Sequence, residues 1–326
     1  MENSNLCLGK KFAKIVNKKY GIITYSGTLA IEVALLSLHL KKKSKILISS
    51  NICYSIVNTI IKLGFIPIFV IPENSLYLTE SDIDLVLNQE NVDCIILVHQ
   101  YGLLNNINCA KLKRKNIKII EDMAQAWLIS NSNYNIGLHS DIVVTSFGKT
   151  KPLSYGIGGA LMFDDELIFN NVDFCDNFSR ESKNLLLSYT YPLCNKINFS
   201  KLIEKADTII KEQSDNSCCY YNLLNESDSI NCINYNNNDG FAWHRFPIWI
   251  DDFKQYLKFI ELINKTELQY QLPHEIDLID LDKFKKYRKI DNSKEKKNLI
   301  LLRTRNIEIK KQIEILKNIL NDFKMK

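Results

Sequence analysis

Apolar residues in the first half of the chain follow two alternating patterns. Short, nearly continuous runs of Ile, Val and Leu predict strands that are covered on both faces. These runs occupy residues 45–49, 66–71, 93–99, 117–122, 141–147 and 159–165. Segments of helical period lie between them: "TLAIEVALLSLHL", "YSIVNTIIKLG", "ESDIDLVLNQ" and "NCAKLKRKN". The alternation predicts an α/β fold with a mainly parallel sheet flanked by helices.

The pattern loosens after residue 165. A long helix is predicted over 200–225, an Asn-rich polar loop over 226–240 and a strand over 245–250, and "IEIKKQIEILKNILNDF" predicts a closing amphipathic helix. A chain of 326 residues exceeds what one simple core usually holds. We therefore expect a large domain over 1–205 and a smaller α+β C-terminal domain over 206–326.

Composition narrows the possible partners and compartments. The chain is 46% hydrophobic and 24% charged with a net charge of +5, as in ordinary globular proteins. Its lysines form short runs without interleaved aromatic residues, which argues against nucleic-acid binding. Nine scattered cysteines without CxxC spacing predict free thiols in a reducing cytoplasm, with no metal site. No apolar run approaches membrane-spanning length, and the N-terminus has no apolar signal segment.

Polar residues stand where ligands of parallel sheets bind, at the carboxyl ends of strands. One strand ends in Glu121 and Asp122, the next ends in Ser146, and the first of the helices between strands opens with Ser26, Gly27 and Thr28. A helix that starts with Ser-Gly-Thr offers backbone amides, a hydroxyl and a positive dipole end, which suit a phosphate. An ordinary helix N-cap is the alternative.

Lys151 lies just before a glycine cluster, in "SFGKTKPLSYGIGG". The chain has 11 glycines, and three of them fall within four positions: Gly156, Gly158 and Gly159. Glycine permits a sharp turn or a close approach of two backbones, so the cluster predicts a turn, a tight packing point or a ligand cradle.

Four blocks in order, "SGT", "HQYG", "IEDMAQA" and "SFGKTKPLSYGIGG", resemble the DegT/StrS group of fold-type-I pyridoxal-phosphate sugar aminotransferases. That group is typified by SGT, H-x-YG, IEDxAQA and SFxxxKxLxxGEGG. The resemblance covers roughly residues 10 to 165 and returns more loosely at "WHRFPIWI" and "KNLILLRTRNIEIKKQIEILKNIL". It implies a fold-type-I α/β architecture, pyridoxal 5′-phosphate (PLP) as cofactor, and a homodimer with shared active sites.

The resemblance also implies a role for each matching residue. Lys151 would hold the cofactor as a Schiff base and later move a proton, since a cofactor aldehyde needs an amine. Asp122 would keep the pyridine nitrogen protonated, and Gln125 would lie beside the ring. The implied phosphate ligands are Gly27, Thr28 and Ser146.

Three positions depart from the family blocks. An aromatic side chain that stacks on the cofactor ring is expected within "SSNICYSIVNTI", where alignment gives Cys53 and its neighbour is Tyr54; we favour Tyr54. Ile157 replaces the glutamate of GEGG. The GYNYRM-like block, which would supply an asparagine to the partner subunit's cofactor, is missing, and Asn195 in "SYTYPLCN" is the closest candidate.

The histidines and arginines bear on the type of reaction. Related dehydratases carry a histidine where this chain has Lys151, so transamination is favoured over dehydration. For His99, in "HQYG", we favour a structural or pocket-lining role over proton transfer. An arginine fork suits the two oxygens of an amino donor's carboxylate, and three candidates remain open: Arg245, Arg303 and Arg305.

The sequence thus predicts a PLP-dependent aminotransferase that acts on a keto sugar, with an amino acid such as glutamate as donor. The acceptor is expected to be nucleotide-linked, in surface polysaccharide or amino-sugar biosynthesis. Two alternatives stay open: another PLP enzyme of the same fold (a sugar dehydratase or a transaminase of a non-sugar ketone), and an inactive binding subunit.

Overall fold

The computed structural model describes residues 4–73, 76–105, 107–127, 130–131, 134–168, 194, 196–234, 241–273, 282, 284–293 and 298–324. Helices α1 to α8 are Ser4–Ile15, Gly27–Ser37, Tyr54–Lys62, Glu80–Leu87, Cys109–Arg114, Phe199–Leu224, Phe253–Ile263 and Ile309–Lys324. Strands β1 to β7 are Tyr20–Thr24, Lys45–Ser49, Ile66–Ile71, Cys94–Val98, Lys118–Asp122, Ser130–Asn131 and Tyr134–Asn135. Strands β8 to β14 are Ile142–Ser146, Gly159–Phe163, Asn231–Cys232, Arg245–Ile250, Tyr270–Gln271, Lys289–Asp291 and Asn298–Arg303.

The large domain is built on an eight-stranded sheet in the order β1-β9-β8-β5-β4-β2-β3-β13. Six neighbouring strands in this order are parallel to one another: β8, β5, β4, β2, β3 and β13. Strand β9 runs antiparallel to its two neighbours, β8 and β1. The α/β fold with a mainly parallel sheet is therefore confirmed. The parallel order brings the carboxyl ends of β2, β4, β5 and β8 to one edge of the sheet.

Side chains of the central strands alternate between two apolar cores, one on each face of the sheet. In β4, Ile95 and Leu97 lie in one core, and Cys94 and Ile96 lie in the other. Burial on both faces explains why the sequence shows a continuous apolar run here instead of alternation with polar residues.

The C-terminal domain is a four-stranded antiparallel sheet, β10-β11-β14-β12, packed with α6, α7 and α8 around a third core. Two features of the structure bear on the predicted division at residue 205. Helix α6 crosses that point without a break, and β13 leaves the C-terminal half to pair in parallel with β3. Residues 289–291 therefore belong to the large sheet.

Among the described residues, no helix is both long and apolar enough to cross a membrane.

Candidate active site

The edge formed by the parallel strands collects the predicted polar residues. Asp122 ends β5 directly opposite Val98, the last residue of β4, and Ser146 ends β8 opposite Gly159, the first residue of β9. Helix α2 begins immediately after β1, whose last residue Thr24 also pairs with Gly159. The sheet thus brings three separate sequence blocks to one place.

Lys151 lies in a loop that closes on Phe147. The carbonyl of Phe147 accepts hydrogen bonds from the backbone amides of Tyr155 at 3.0 Å and Gly156 at 2.7 Å, and its own amide donates to Gly158 at 2.8 Å. Arg305 of the C-terminal domain donates from Nη1 to the carbonyl of Lys151 at 3.1 Å. Hydrogen bonds within the loop and from Arg305 therefore hold the backbone of Lys151 in place.

The Lys151 amine lies close enough to Asp122 for the two charges to interact. Burial lowers the pKa of Lys151 below its ordinary value, while the nearby carboxylate of Asp122 and the thiol of Cys53 oppose that shift. The guanidinium of Arg245 lowers the pKa further. A lowered pKa increases the neutral fraction of an amine, which is its nucleophilic form.

Asp122 is a buried carboxylate with one described hydrogen bond. Its Oδ1 accepts from the backbone amide of Ala124 at 2.9 Å, and the residue is 7% exposed. Burial raises its pKa, against the opposing effects of the Ala124 amide, Lys151 and His99. A buried carboxylate of this kind is best stabilised by a cationic partner inside the pocket.

His99 lies behind the pocket, where it is fully buried. Its Nδ1 accepts a hydrogen bond from the Asn105 amide at 3.1 Å, and its Nε2 lies 3.5 Å from Oε1 of Glu121. Oε2 of Glu121 accepts from the Gly137 amide at 2.6 Å. These contacts join the ends of β4 and β5 and support the structural role predicted for His99.

The start of α2 forms a small cradle against β8. Ser26 caps the helix, with its hydroxyl accepting from the Leu29 amide at 3.1 Å. A Cβ on Gly27 would lie 2.8 Å from Cβ of Ser146, so only glycine allows this approach. The Thr28 hydroxyl is exposed, and no described group forms a hydrogen bond with it. Helix amides, two hydroxyls and the helix dipole together suit a phosphate.

The glycine cluster serves both the turn and the close approach. Gly156 and Gly158 have φ values of 121° and 106°, which side chains disfavour. A Cβ on Gly159 would lie 2.7 Å from both the Gly27 amide nitrogen and the Thr145 carbonyl oxygen. The cluster therefore lets the loop that carries Lys151 pass directly against the cradle.

Cys53 and Tyr54 point to different surroundings. The Tyr54 ring centroid is 5.7 Å from that of Phe284, and the side chain is 37% exposed. Cys53, the N-cap residue of α3, is the one that influences the Lys151 pKa. Cys53 is therefore within electrostatic reach of Lys151, whereas the ring contact given for Tyr54 is with Phe284.

Gln125 is fixed by the "HQYG" block. Its Oε1 accepts from the Tyr101 amide at 3.0 Å, and its Nε2 donates to Oε1 of Gln100 at 3.1 Å. Tyr101 has a positive φ of 59°, which Gln125 helps to hold. Gln100 stands at the unspecified position of the H-x-YG block, so the sequence alone assigned it no role.

Arg245 and His244 line the pocket from the C-terminal domain. Burial lowers the pKa of His244 well below its ordinary value, reinforced by Lys151 and Arg245. Arg245 is directly opposite Arg303 in the antiparallel pair of β11 and β14. Burial and Arg303 lower the pKa of Arg245. Two facing cations favour an anionic ligand.

Other predicted features lie elsewhere. Asn195 is outside the described residues. Ile157 is 48% exposed and supplies no polar group. No group of three or more potential metal ligands occurs in the described parts of the chain.

Comparison with known proteins matches the chain to one family. The model of the DegT/DnrJ/EryC1/StrS aminotransferase family matches residues 3–299. A GDP-perosamine synthase from Escherichia coli O157:H7 is 26% identical over 228 residues, which are 66% of this chain and 61% of that protein. A dTDP-3-amino-3,4,6-trideoxy-alpha-D-glucose transaminase from Micromonospora megalomicea is 30% identical over 144 residues, 43% of this chain and 38% of that protein.

Solved structures show the same fold. PseC from Helicobacter pylori, an aminotransferase involved in the biosynthesis of pseudoaminic acid, has a TM-score of 0.80 and 16% identity, covering 99% of this chain and 92% of that chain. The curated relatives are matched over less of their length, since the alignments span 61% and 58% of two GDP-perosamine synthases.

Proposed function

The chain belongs to the DegT/DnrJ/EryC1/StrS aminotransferase family, and from this premise we propose that it is a PLP-dependent aminotransferase. It transfers the amino group of an amino acid, glutamate, to a keto sugar that is nucleotide-linked, in surface polysaccharide or amino-sugar biosynthesis. One observation carries the proposal: the parallel sheet brings Asp122 at the end of β5 and Ser146 at the end of β8 to the edge where the start of α2 and the Lys151 loop lie.

The residues present fit PLP. Gly27, Thr28 and Ser146 offer the phosphate a cradle that a Cβ at position 27 would fill. Asp122 supplies a buried anion for a protonated ring nitrogen, and Lys151 supplies an amine. When bound, the cofactor contributes an aldehyde that captures amino groups and a ring that withdraws electrons.

The protein's own groups perform the remaining tasks. Lys151 would offer a neutral amine, favoured by its lowered pKa, to hold the cofactor, and its Nζ would accept and return the proton that moves during the transfer. Asp122 would keep the ring nitrogen of a bound cofactor protonated, and Gln125 would lie beside the ring. His99 and Glu121 hold the end of β5 so that Asp122 keeps its position.

Arg245 is the residue we assign to the donor carboxylate. It is half-buried, close enough to Lys151 to affect its pKa, and Nη1 already donates to the His244 carbonyl at 2.7 Å, which fixes the guanidinium. Arg303 reinforces the positive field. Arg305 is directed to the Lys151 backbone instead.

Two observations favour amination over the other reactions. Lys151 stands where related dehydratases carry histidine, and curated relatives named as transaminases and GDP-perosamine synthases align with the chain. Retention of Lys151, Asp122 and the cradle together also argues against an inactive binding subunit. The partners are thus small molecules, and we place the protein in the cytoplasm, where its scattered thiols stay reduced.

The half-reaction with the donor tests this function. The protein loaded with PLP is expected to be yellow, and glutamate alone should bleach the visible band while a stoichiometric amount of 2-oxoglutarate forms. The same titration with Arg245→Gln should require about 10- to 100-fold more glutamate, since a charge-assisted hydrogen bond contributes about 1.5–3 kcal/mol.

Arg288→Gln provides the matched control. Arg288 pairs with Glu90 at 3.3 Å, so its loss should leave the titration unchanged. A yellow protein that no amino donor bleaches would refute aminotransfer. Normal bleaching of the Arg245→Gln protein would refute only the donor assignment.

We also propose a two-fold homodimer with shared active sites. Tyr155 and Ile157, on the loop after Lys151, are 39% and 48% exposed, which leaves apolar area to be covered beside the pocket.

Sedimentation of the PLP-loaded protein at micromolar concentration should give a dimer, and Ile157→Asp should shift it toward monomer. Leu167→Asp, at an exposed position away from that loop, is the control. A monomer that transaminates at full rate would contradict the shared site.

A further inference from the structure

Gln100 joins three strand ends around the pocket. Its Nε2 donates to the carbonyl of Asn51, after β2, at 3.0 Å, and its Oε1 accepts from Nε2 of Gln125, after β5, at 3.1 Å. Gln100 itself follows β4 and is only 6% exposed. Because the Asn51 carbonyl can only accept, it fixes which end of the Gln100 amide is the donor. That in turn presents Oε1 to Gln125.

The orientation passes from Gln100 to Gln125. The Tyr101 amide can only donate, so it holds Oε1 of Gln125, while Gln100 takes one N–H of Nε2. The Gln125 side chain is therefore fixed at both ends. Within the described residues, its second N–H has no partner, and Gln125 is only partly buried, three residues after Asp122, whose carboxylate interacts with Lys151.

We infer that Gln100 is a positioning residue that directs the remaining N–H of Gln125 at an anionic oxygen of the bound cofactor. This rests on the proposed function. A hydrogen-bond donor that points at an anionic oxygen makes that oxygen a weaker acceptor for a neighbouring acidic N–H. The donor therefore lowers the pKa of that N–H, and loss of the donor raises it. Without Gln100, Nε2 of Gln125 can rotate, and the donor loses its direction.

The test substitutes Gln100 with Met, which keeps the length but removes both hydrogen bonds. PLP titrated into the apoprotein should bind about tenfold more weakly, the equivalent of one hydrogen bond. The pH midpoint of the visible absorption of the cofactor on Lys151 should rise by about 0.5–1 unit, because the protonated form is then favoured.

Gln312→Met is the matched control. Gln312 is 3% exposed, accepts from the Gln269 amide at 2.6 Å and donates to the Glu267 carbonyl at 3.4 Å, all within the C-terminal domain. It should move neither the affinity nor the midpoint. If Gln100 acts through Gln125, the double variant Gln100→Met/Gln125→Met should match Gln125→Met alone.

The outcomes separate the two proposals. Wild-type protein that binds no PLP refutes the proposed function. Wild-type protein that binds PLP, with a Gln100→Met midpoint equal to that of Gln312→Met or with additive effects in the double variant, refutes the role of Gln100. If Gln100→Met does not fold, the Gln125 side-chain amide resonance of the wild type decides: it should shift when PLP binds, and no shift overturns the inference.

Discussion

Lys151→Ala is expected to abolish turnover, by about 10⁴-fold or more, while PLP still binds noncovalently. The side chain both attaches the cofactor and carries the transferred proton, and general acid–base catalysis alone contributes about 10²–10⁴-fold. The cradle at Gly27, Thr28 and Ser146 remains, so binding should persist. Borohydride reduction of the wild type, followed by peptide mapping, should find the cofactor on Lys151.

Lys149→Ala is the control for this experiment. Lys149 lies two residues earlier in the same loop, but its side chain is exposed, and the contact it provides to Ser154 comes from its backbone carbonyl. The variant should keep normal absorption and turnover. Attachment of the cofactor to another lysine, or an active Lys151→Ala protein, would contradict the assignment.

Most of the large sheet could be predicted because its strands are buried on both faces, which leaves continuous apolar runs in the sequence. The end of β5 at Asp122 followed from the same pattern, because the first polar residues mark the edge of the sheet. Strand β13 could not be predicted. It is three residues long, lies among lysines, and exists only because it pairs with the edge strand β3.

The residue that sequence reasoning missed is Gln100, whose side chain takes part through a long-range contact with the predicted Gln125. Gln100 and Gln125 are 25 positions apart and meet only because β4 and β5 are neighbours. Cys53 and Tyr54 are hard to tell apart for a local reason: successive residues of a helix point about 100° apart, so a shift of one position changes which side chain faces the site. A motif alignment without the helix start cannot resolve that rotation.

Asp122→Asn should separate catalysis from stability. An amide cannot hold a ring nitrogen protonated, so the half-reaction should slow by about 100-fold or more, comparable to the loss of one preorganised electrostatic contact. Asn can still accept the Ala124 amide hydrogen bond through Oδ1, so the fold should be preserved. PLP affinity should also fall.

Although Asp122→Asn should lower the reaction rate and the PLP affinity, it should raise the stability of the apoprotein. Burial raises the folded-state pKa of Asp122 above its unfolded value, so the folded state binds the proton more tightly and the ionised group opposes folding near neutral pH. Replacing it with neutral Asn removes that cost, and the thermal midpoint of the apoprotein at pH 7 should rise. The difference from wild type should shrink as the pH falls and Asp122 becomes protonated.

Thermal unfolding of both apoproteins across pH, beside single-turnover bleaching by glutamate, measures both effects. A variant that bleaches at a near-normal rate would contradict the catalytic role, and an apoprotein destabilised at pH 7 would show that the ionised carboxylate stabilises the empty pocket through Lys151.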